Sequence, residues 1–219
     1  MRGNTMQHAV RKIAATCALM MSAAFFAAPA NAAGSPDSGI YAGDWLVRLR
    51  AIEIAPEARG SGPLGALGAD VNNALVPEVD FTYMATDNIG VELILGTSRN
   101  QVTSNIGALG GVGVLPPTLL LQYHFNNAGK VRPYVGAGIN YTLFYNNGLH
   151  AGGQSVSIDN HSWGPALQFG IDFQVTKRIF VNADIKKIWM HTDASLAGTP
   201  LGTLHIDPII VGLGVGMKF

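Results

Sequence analysis

Arg48 and Arg50 in "WLVRLRAI", and Glu78 and Asp80 in "VPEVDF", are charges spaced by two. That spacing puts both members on one face of a strand, where opposite charges from neighbouring strands can meet. Glu92 in "IGVELILG" and Asp184 in "IFVNADI" fall on the matching faces of their own segments. The chemistry on offer is ion pairing. Catalysis finds less support, because His161–Ser162 and His191–Thr192 are sequence neighbours, and neighbours in a strand point to opposite faces. His150, His161, His191 and His205 show no HExxH or similar ligand spacing. The glycine repeats "GAG" and "GLGVG" lack the following helix that a dinucleotide site requires. No catalytic residue, metal site or cofactor is assigned, and an enzyme acting on lipid A is the remote alternative.

The elements that would position those charges are strands. After residue 33 no run of about 18 apolar residues occurs, so transmembrane helices are excluded. Alternation runs through eight segments instead. Trp45, Val47, Leu49 and Ala51 oppose Arg48 and Arg50; Leu75, Val79, Phe81 and Tyr83 oppose Glu78, Asp80 and Thr82; Leu119, Leu121, Tyr123 and Phe125 oppose Thr118, Gln122 and His124. The same pattern recurs in "IGVELILGT", "VRPYVGAGINYTLFY", "WGPALQFGIDFQV", "IFVNADI" and the terminal "IIVGLGVGMKF". Each is near the ~10 residues a tilted strand needs to cross a bilayer. "TDN", "NNAGK" and "TKR" read as short turns, and residues 55–74, 99–113, 146–161 and 193–203 as long loops rich in Gly, Ser and Asn. Short turns at one end and long loops at the other predict an all-β, eight-stranded, antiparallel, up-and-down transmembrane barrel with its turns in the periplasm. A lipocalin-like soluble barrel would carry the reverse polarity. Outward-facing Trp45, Tyr83, Tyr123, Phe125, Phe173 and Phe219 then form a girdle at the turn end, and Tyr145 and Trp163 another at the loop end.

Of 219 residues, 48% are hydrophobic and 13% charged, enough for one sizeable domain. A basic start, an apolar run from Ile13 to Ala28 and small residues in "APANAAG" predict a signal peptide over residues 1–32, followed by a periplasmic tail at 33–42 and the barrel at 43–219. Removing Arg2, Arg11 and Lys12 with the signal leaves 11 basic against 14 acidic side chains, which gives no reason to expect nucleic acid as a partner. Cys17, the only cysteine, leaves with the same segment.

"TYMATDNIGVEL" (82–93), "LPPT" (115–118), "RPYVGAGINYT" (132–142), "NNG" (146–148), "SWGPALQFGID" (162–172) and "IDP" (206–208) resemble the signature segments of OmpW-type outer-membrane proteins across residues 43–219. The resemblance implies an eight-stranded barrel with a narrow interior, integral to the bacterial outer membrane, that passes small hydrophobic compounds. Phe219 after alternating apolar residues also resembles the signal read by the barrel-assembly machinery. Outer-membrane lipid, lipopolysaccharide and small hydrophobic solutes are the remaining expected partners. Two departures from the family pattern are expected to matter locally: Pro165 interrupts strand six, and Lys186–Lys187 blur strand seven.

Parity and depth divide the lumen. Arg48, Arg50, Glu78, Asp80, Glu92 and Asp184, with Gln122 and Gln168, lie midway and are expected to form a plug of paired charges, since eight strands enclose only enough space for side chains. Ile52, Ile54, Val76, Phe144, Ile188, Met190, Ile206 and Ile210 lie nearer the loop end and are expected to bind an apolar ligand. Pro77, Pro116, Pro117, Pro165 and Pro208, which lack the ladder donor, gather toward that end and mark where the wall could part for lateral release. A structural or partner-binding barrel without transport is the alternative.

Overall fold

A computed structural model describes residues 39–219. The expected signal peptide and most of the expected tail lie outside the described residues. In chain order the elements are β1 (Trp45–Ala55), β2 (Arg59–Gly60), α1 (Gly62–Ala66), β3 (Asp70–Val71), β4 (Ala74–Met84), β5 (Ile89–Gly96), β6 (Ser98–Ser104), β7 (Gly107–Leu115), β8 (Thr118–His124), β9 (Val131–Tyr145), β10 (His150–Ala151), β11 (Gln154–Ile158), β12 (His161–Gln174), β13 (Ile179–Ile188), β14 (His191–Leu196), β15 (Thr199–His205) and β16 (Ile209–Lys218). Eight of them close a ring. Each of β1, β4, β5, β8, β9, β12, β13 and β16 pairs antiparallel with the next, and β16 returns to β1 through ten register pairs from Leu46↔Lys218 to Ala55↔Ile209. Trp45 and Phe219 finish the seam with reciprocal backbone bonds of 3.2 and 2.9 Å.

Closure gives each ring strand a neighbour on both sides, which a bilayer demands because hydrocarbon offers no partner for a bare N–H or C=O. The side chains sort accordingly. Leu49, Leu121, Leu167, Phe169 and Val215 are exposed on the outer face, while Arg48, Arg50, Glu92 and Gln122 are buried inside. Trp45, Tyr83, Tyr123, Phe125, Phe173 and Phe219 ring the turn end on the outside; Tyr145, Trp163 and Trp189 ring the loop end. Trp163 and Phe173 lie on one strand, about 33 Å apart at the usual rise, which at a typical tilt spans roughly the 25 Å apolar band of such barrels. Interior space is scarce. A Cβ on Gly214 would collide with the backbone oxygen of Leu49, which accounts for the glycines that alternate with apolar residues in the last strand.

Three expectations are corrected. Pro165 does not interrupt its strand: β12 runs unbroken and keeps register with β9 through the pair Pro165↔Ile139. The missing N–H faces β13 instead, where the ladder ends at Ala166↔Ile188, and the Pro165 carbonyl still accepts from Trp189 at 3.1 Å. Nor do the lysines blur β13, which continues to Ile188 with Lys186 turned inward and buried. The expected long loops are largely strands. β6 and β7 form a hairpin that extends the β5–β8 pair, with β3 on its edge, and β10, β11, β14, β15 and β2 form a second sheet beyond the ring. Gly148, ahead of β10, donates to Gly111 on β7, and Asn105, in the β6–β7 turn, donates to Leu67, which follows α1. The physical reason is a change of solvent. Beyond the girdle, Val102, Leu109, Val112, Val156 and Leu204 point inward and are buried, while Arg99, Gln101, Thr103, His191 and Asp193 point outward, the polarity of a barrel in water.

Candidate functional site

The lumen holds three layers. At the turn end Ile40, Leu46, Met84 and Phe180 form a small apolar cluster, and Ile40, on the segment leading into β1, is tied by its backbone N–H to Asn127 at 2.8 Å. This floor lies below the charges and was not expected from the sequence.

Above it sits the ionic plug. All six of the expected charges meet there. Arg48 holds Asp172 with two nitrogens, at 2.9 and 3.3 Å, and reaches Asp80 at 3.1 Å, Thr82 at 2.8 Å and Glu92 at 3.4 Å. Arg50 pairs with Glu78 at 3.0 Å, Asp80 at 2.6 Å and Asp184 at 2.8 Å, and donates to Asn182 at 3.1 Å. Both guanidinium groups are inaccessible to solvent. Lys186, Asp172, Asn182 and Tyr134 complete the network without having been assigned to it. Lys186 bridges Glu78 at 2.6 Å and Asp184 at 2.9 Å, and Arg48 lies 5.2 Å over the Tyr134 ring. Gln168 donates to Asp184 and accepts from Gln122, so the two expected amides link the plug to β8. Parity would have found the missing members: the face that carries Gly136 inward also carries Tyr134, and the face of Asp184 carries Asn182 and Lys186.

The third layer is apolar and continues beyond the ring into the extension. Ile52, Phe144, Ile188, Met190, Ile206 and Ile210 belong to one buried cluster, with Ile54 and Val76 packed against it. Two cavities occupy it. The lower is lined by Ile52, Ile54, Val76, Ile94, Ile188 and Ile210, with Glu78 and Lys186 as its floor. The upper is lined by Phe144 and Ile206 together with extension residues such as Val71, Val102 and Leu149. Met190 lines neither; its sulfur accepts from Thr142 at 3.7 Å. Leu64, on the short helix α1, is buried among the lining residues of the upper cavity.

One stretch of wall beside the lower cavity lacks its ladder. The β5–β8 register stops at Ile94↔Thr118 and resumes, without slipping, at Ser98↔Val114 between β6 and β7. Pro116 and Pro117 fill the gap. Pro117 uses its carbonyl toward β9, accepting from Tyr141 at 3.0 Å, so Pro116 is the residue facing β5. Its carbonyl is turned into the lumen, where Asn140 and Thr118 donate to it at 3.1 and 3.0 Å. On the other side the β4–β5 ladder ends at Glu78↔Gly96, one residue short of Pro77. Gly96, Thr97, Ser98 and Pro116 therefore line the cavity directly. Pro165 and Pro208 are not part of this gap, since each still uses its carbonyl as an acceptor for the neighbouring strand, from Trp189 and Ile188.

Among the described residues no group of three or more His, Cys, Asp or Glu side chains could hold a metal ion. A closed eight-stranded ring with an apolar outer band between aromatic girdles defines an integral β-barrel of the bacterial outer membrane. The OmpW family model matches residues 41–219, and the chain belongs to that family. It is 43% identical, over 93% of its length and 96% of the relative's, to the uncharacterized outer-membrane protein y4mB of Sinorhizobium fredii. It is 32% identical to the dibenzothiophene metabolism operon protein PahQ of Pseudomonas aeruginosa, covering 80% of this chain and 88% of that one. The crystal structure of the outer membrane protein OprG from Pseudomonas aeruginosa superposes with a TM-score of 0.74 at 28% identity, over 83% of this chain and 98% of that one. No catalytic class is indicated by the family.

Proposed function

We propose that the barrel admits small apolar molecules from the loop end into the apolar chamber and releases them sideways into the bilayer through the gap beside Pro116. The observation that carries this reading is the junction of an apolar cavity, a salt-bridged floor and an unladdered wall in one place. Apolar surface transferred from water gains about 25 cal/mol per Å², whereas an apolar molecule pushed on through the plug would strip charges of their partners at several kcal/mol each. The sideways exit avoids that cost. A relative named for a dibenzothiophene metabolism operon fits a flat, apolar solute. Ile52, Ile54, Val76, Ile188 and Ile210 would contact it in the lower cavity and Phe144 and Ile206 in the upper. Met190 would act through packing. No enzymatic step is proposed, and Phe219 is read as the terminus that the barrel-assembly machinery engages.

The test is uptake of a fluorescent aromatic hydrocarbon into vesicles carrying the protein. Phe144→Asp should lower uptake several-fold. Thr97→Cys paired with Leu115→Cys sits across the gap in the continuing register; oxidation should stop uptake and reductant should restore it. Equal uptake by the oxidised and reduced forms would remove the lateral route, and equal uptake by Phe144→Asp and the parent would remove the chamber. A second reading, a barrel that braces the membrane or presents its extension to a partner, draws on Leu64 closing the upper cavity. It requires uptake no faster than in protein-free vesicles.

A further inference from the structure

On the outer face of the extension, four side chains able to carry positive charge stand in one row across neighbouring chain segments. Arg59 on β2 is the register partner of His205 on β15, and His205 is the partner of His191 on β14. His191 donates its backbone N–H to Ser162, next to His161 on β12. All four are exposed, whereas Thr192 and Leu204, of opposite parity, are buried and line the upper cavity. The row thus faces outward.

Its height is set by the girdle. His161 lies two residues beyond Trp163, and His191 two beyond Trp189, so each is the next outward residue after an exposed tryptophan, about 7 Å along the strand. Headgroups occupy roughly 6 Å beyond the hydrocarbon on each side of a bilayer, so the row stands at headgroup level. We propose that Arg59, His205, His191 and His161 form a binding site for the phosphate of a phosphorylated lipid in the leaflet at the loop end. This rests on the outer-membrane placement and not on transport.

The surroundings leave the row's charge available. Glu57 is hydrogen-bonded to Lys187 at 2.8 Å, which holds its carboxyl below the usual carboxylate range, and it lies 3.9 Å from Arg59. Asp193, one step further out, accepts from Thr203 at 2.5 Å. Asp207 accepts from the backbone of Met190 at 3.0 Å, and Asp159, beyond Asp193, is exposed. The rings of His191 and His205 have centroids 5.6 Å apart. Two imidazolium groups that close repel each other, and an anion shared between them turns the repulsion into two charge-assisted bonds. Arg59 adds a fork suited to phosphate.

Native mass spectrometry of the refolded full chain in detergent, with diphosphoryl lipid A as the probe, tests this. The parent should retain lipid A. Retention should fall several-fold for dephosphorylated lipid A and for Arg59→Gln/His191→Gln/His205→Gln, while Arg99→Gln, on the outer face of β6, should match the parent. Inorganic phosphate in excess should compete only weakly, because it lacks the acyl chains held by the girdle. Heat-modifiable gel mobility reports whether each variant has folded, and His191→Gln alone replaces the triple variant if that one has not. Retention that ignores the phosphates or the three substitutions overturns the site. So does a row whose imidazole NMR signals respond to Zn2+ and not to lipid A, which would make it a metal chelate.

Discussion

Arg50 is the residue on which the most acceptors converge, with Glu78, Asp80 and Asp184 all within 3.0 Å of its nitrogens. A buried pair is weak evidence for stability, but removing one partner strands the rest in a dry interior. Arg50→Ala should cost about 3–5 kcal/mol, read as a lower urea midpoint in lipid vesicles. Arg50→Glu should prevent refolding altogether, since it places a further carboxylate among those three. Lys186→Met should cost less, because Glu78 and Asp184 each keep Arg50. The plug's identity was legible at this scale from two-residue spacing alone. What escaped were Lys186, which was expected to blur its strand and not to join the plug, and Asp172, which sits on the lumen face among neutral neighbours and gave no charge pattern of its own.

Among the elements, the wall segment around Pro116 is the one whose chemistry can be reversed. Pro116→Val supplies a donor on the side facing β5 and should let the ladder run from Ile94 through Ser98. Hydrogen exchange should then show a slower Gly96 amide, stability should rise by about 1 kcal/mol per bond gained, and hydrocarbon uptake should fall. The extension offers a different lever. Val102→Asp should loosen the β6–β7 hairpin and make it sensitive to protease, whereas the ring, whose pairing does not pass through Val102, should keep its heat-modifiable mobility. The eight membrane-crossing segments were readable because lipid outside and crowding inside force an unbroken alternation. The extension was not, because its alternation runs in the opposite phase and many of its outward residues, such as Gln101, Thr103, Ser155 and Ser157, are of the types that build loops. Phase, judged against the girdle, is the missing signal.

At the largest scale, the barrel described by residues 39–219 is a cup with an apolar bowl, an ionic base and an apolar foot. Single-channel recording should accordingly find no steady ionic conductance in the parent. Arg50→Met combined with Asp80→Asn, chosen to thin the plug while removing one charge of each sign, should raise conductance and leave uptake of an apolar solute unchanged, because the exit lies above the plug. A parent that conducts steadily would contradict the stacked lumen. The seam between Trp45 and Phe219 carries a consequence for biogenesis. Its two sides belong to the strands furthest apart in the barrel's sequence, so the cylinder cannot be welded shut until β1 and β16 are both in place. A product lacking β16 would face the lipid with two raw margins at once, which makes insertion a checkpoint that only a barrel with all eight ring strands can pass.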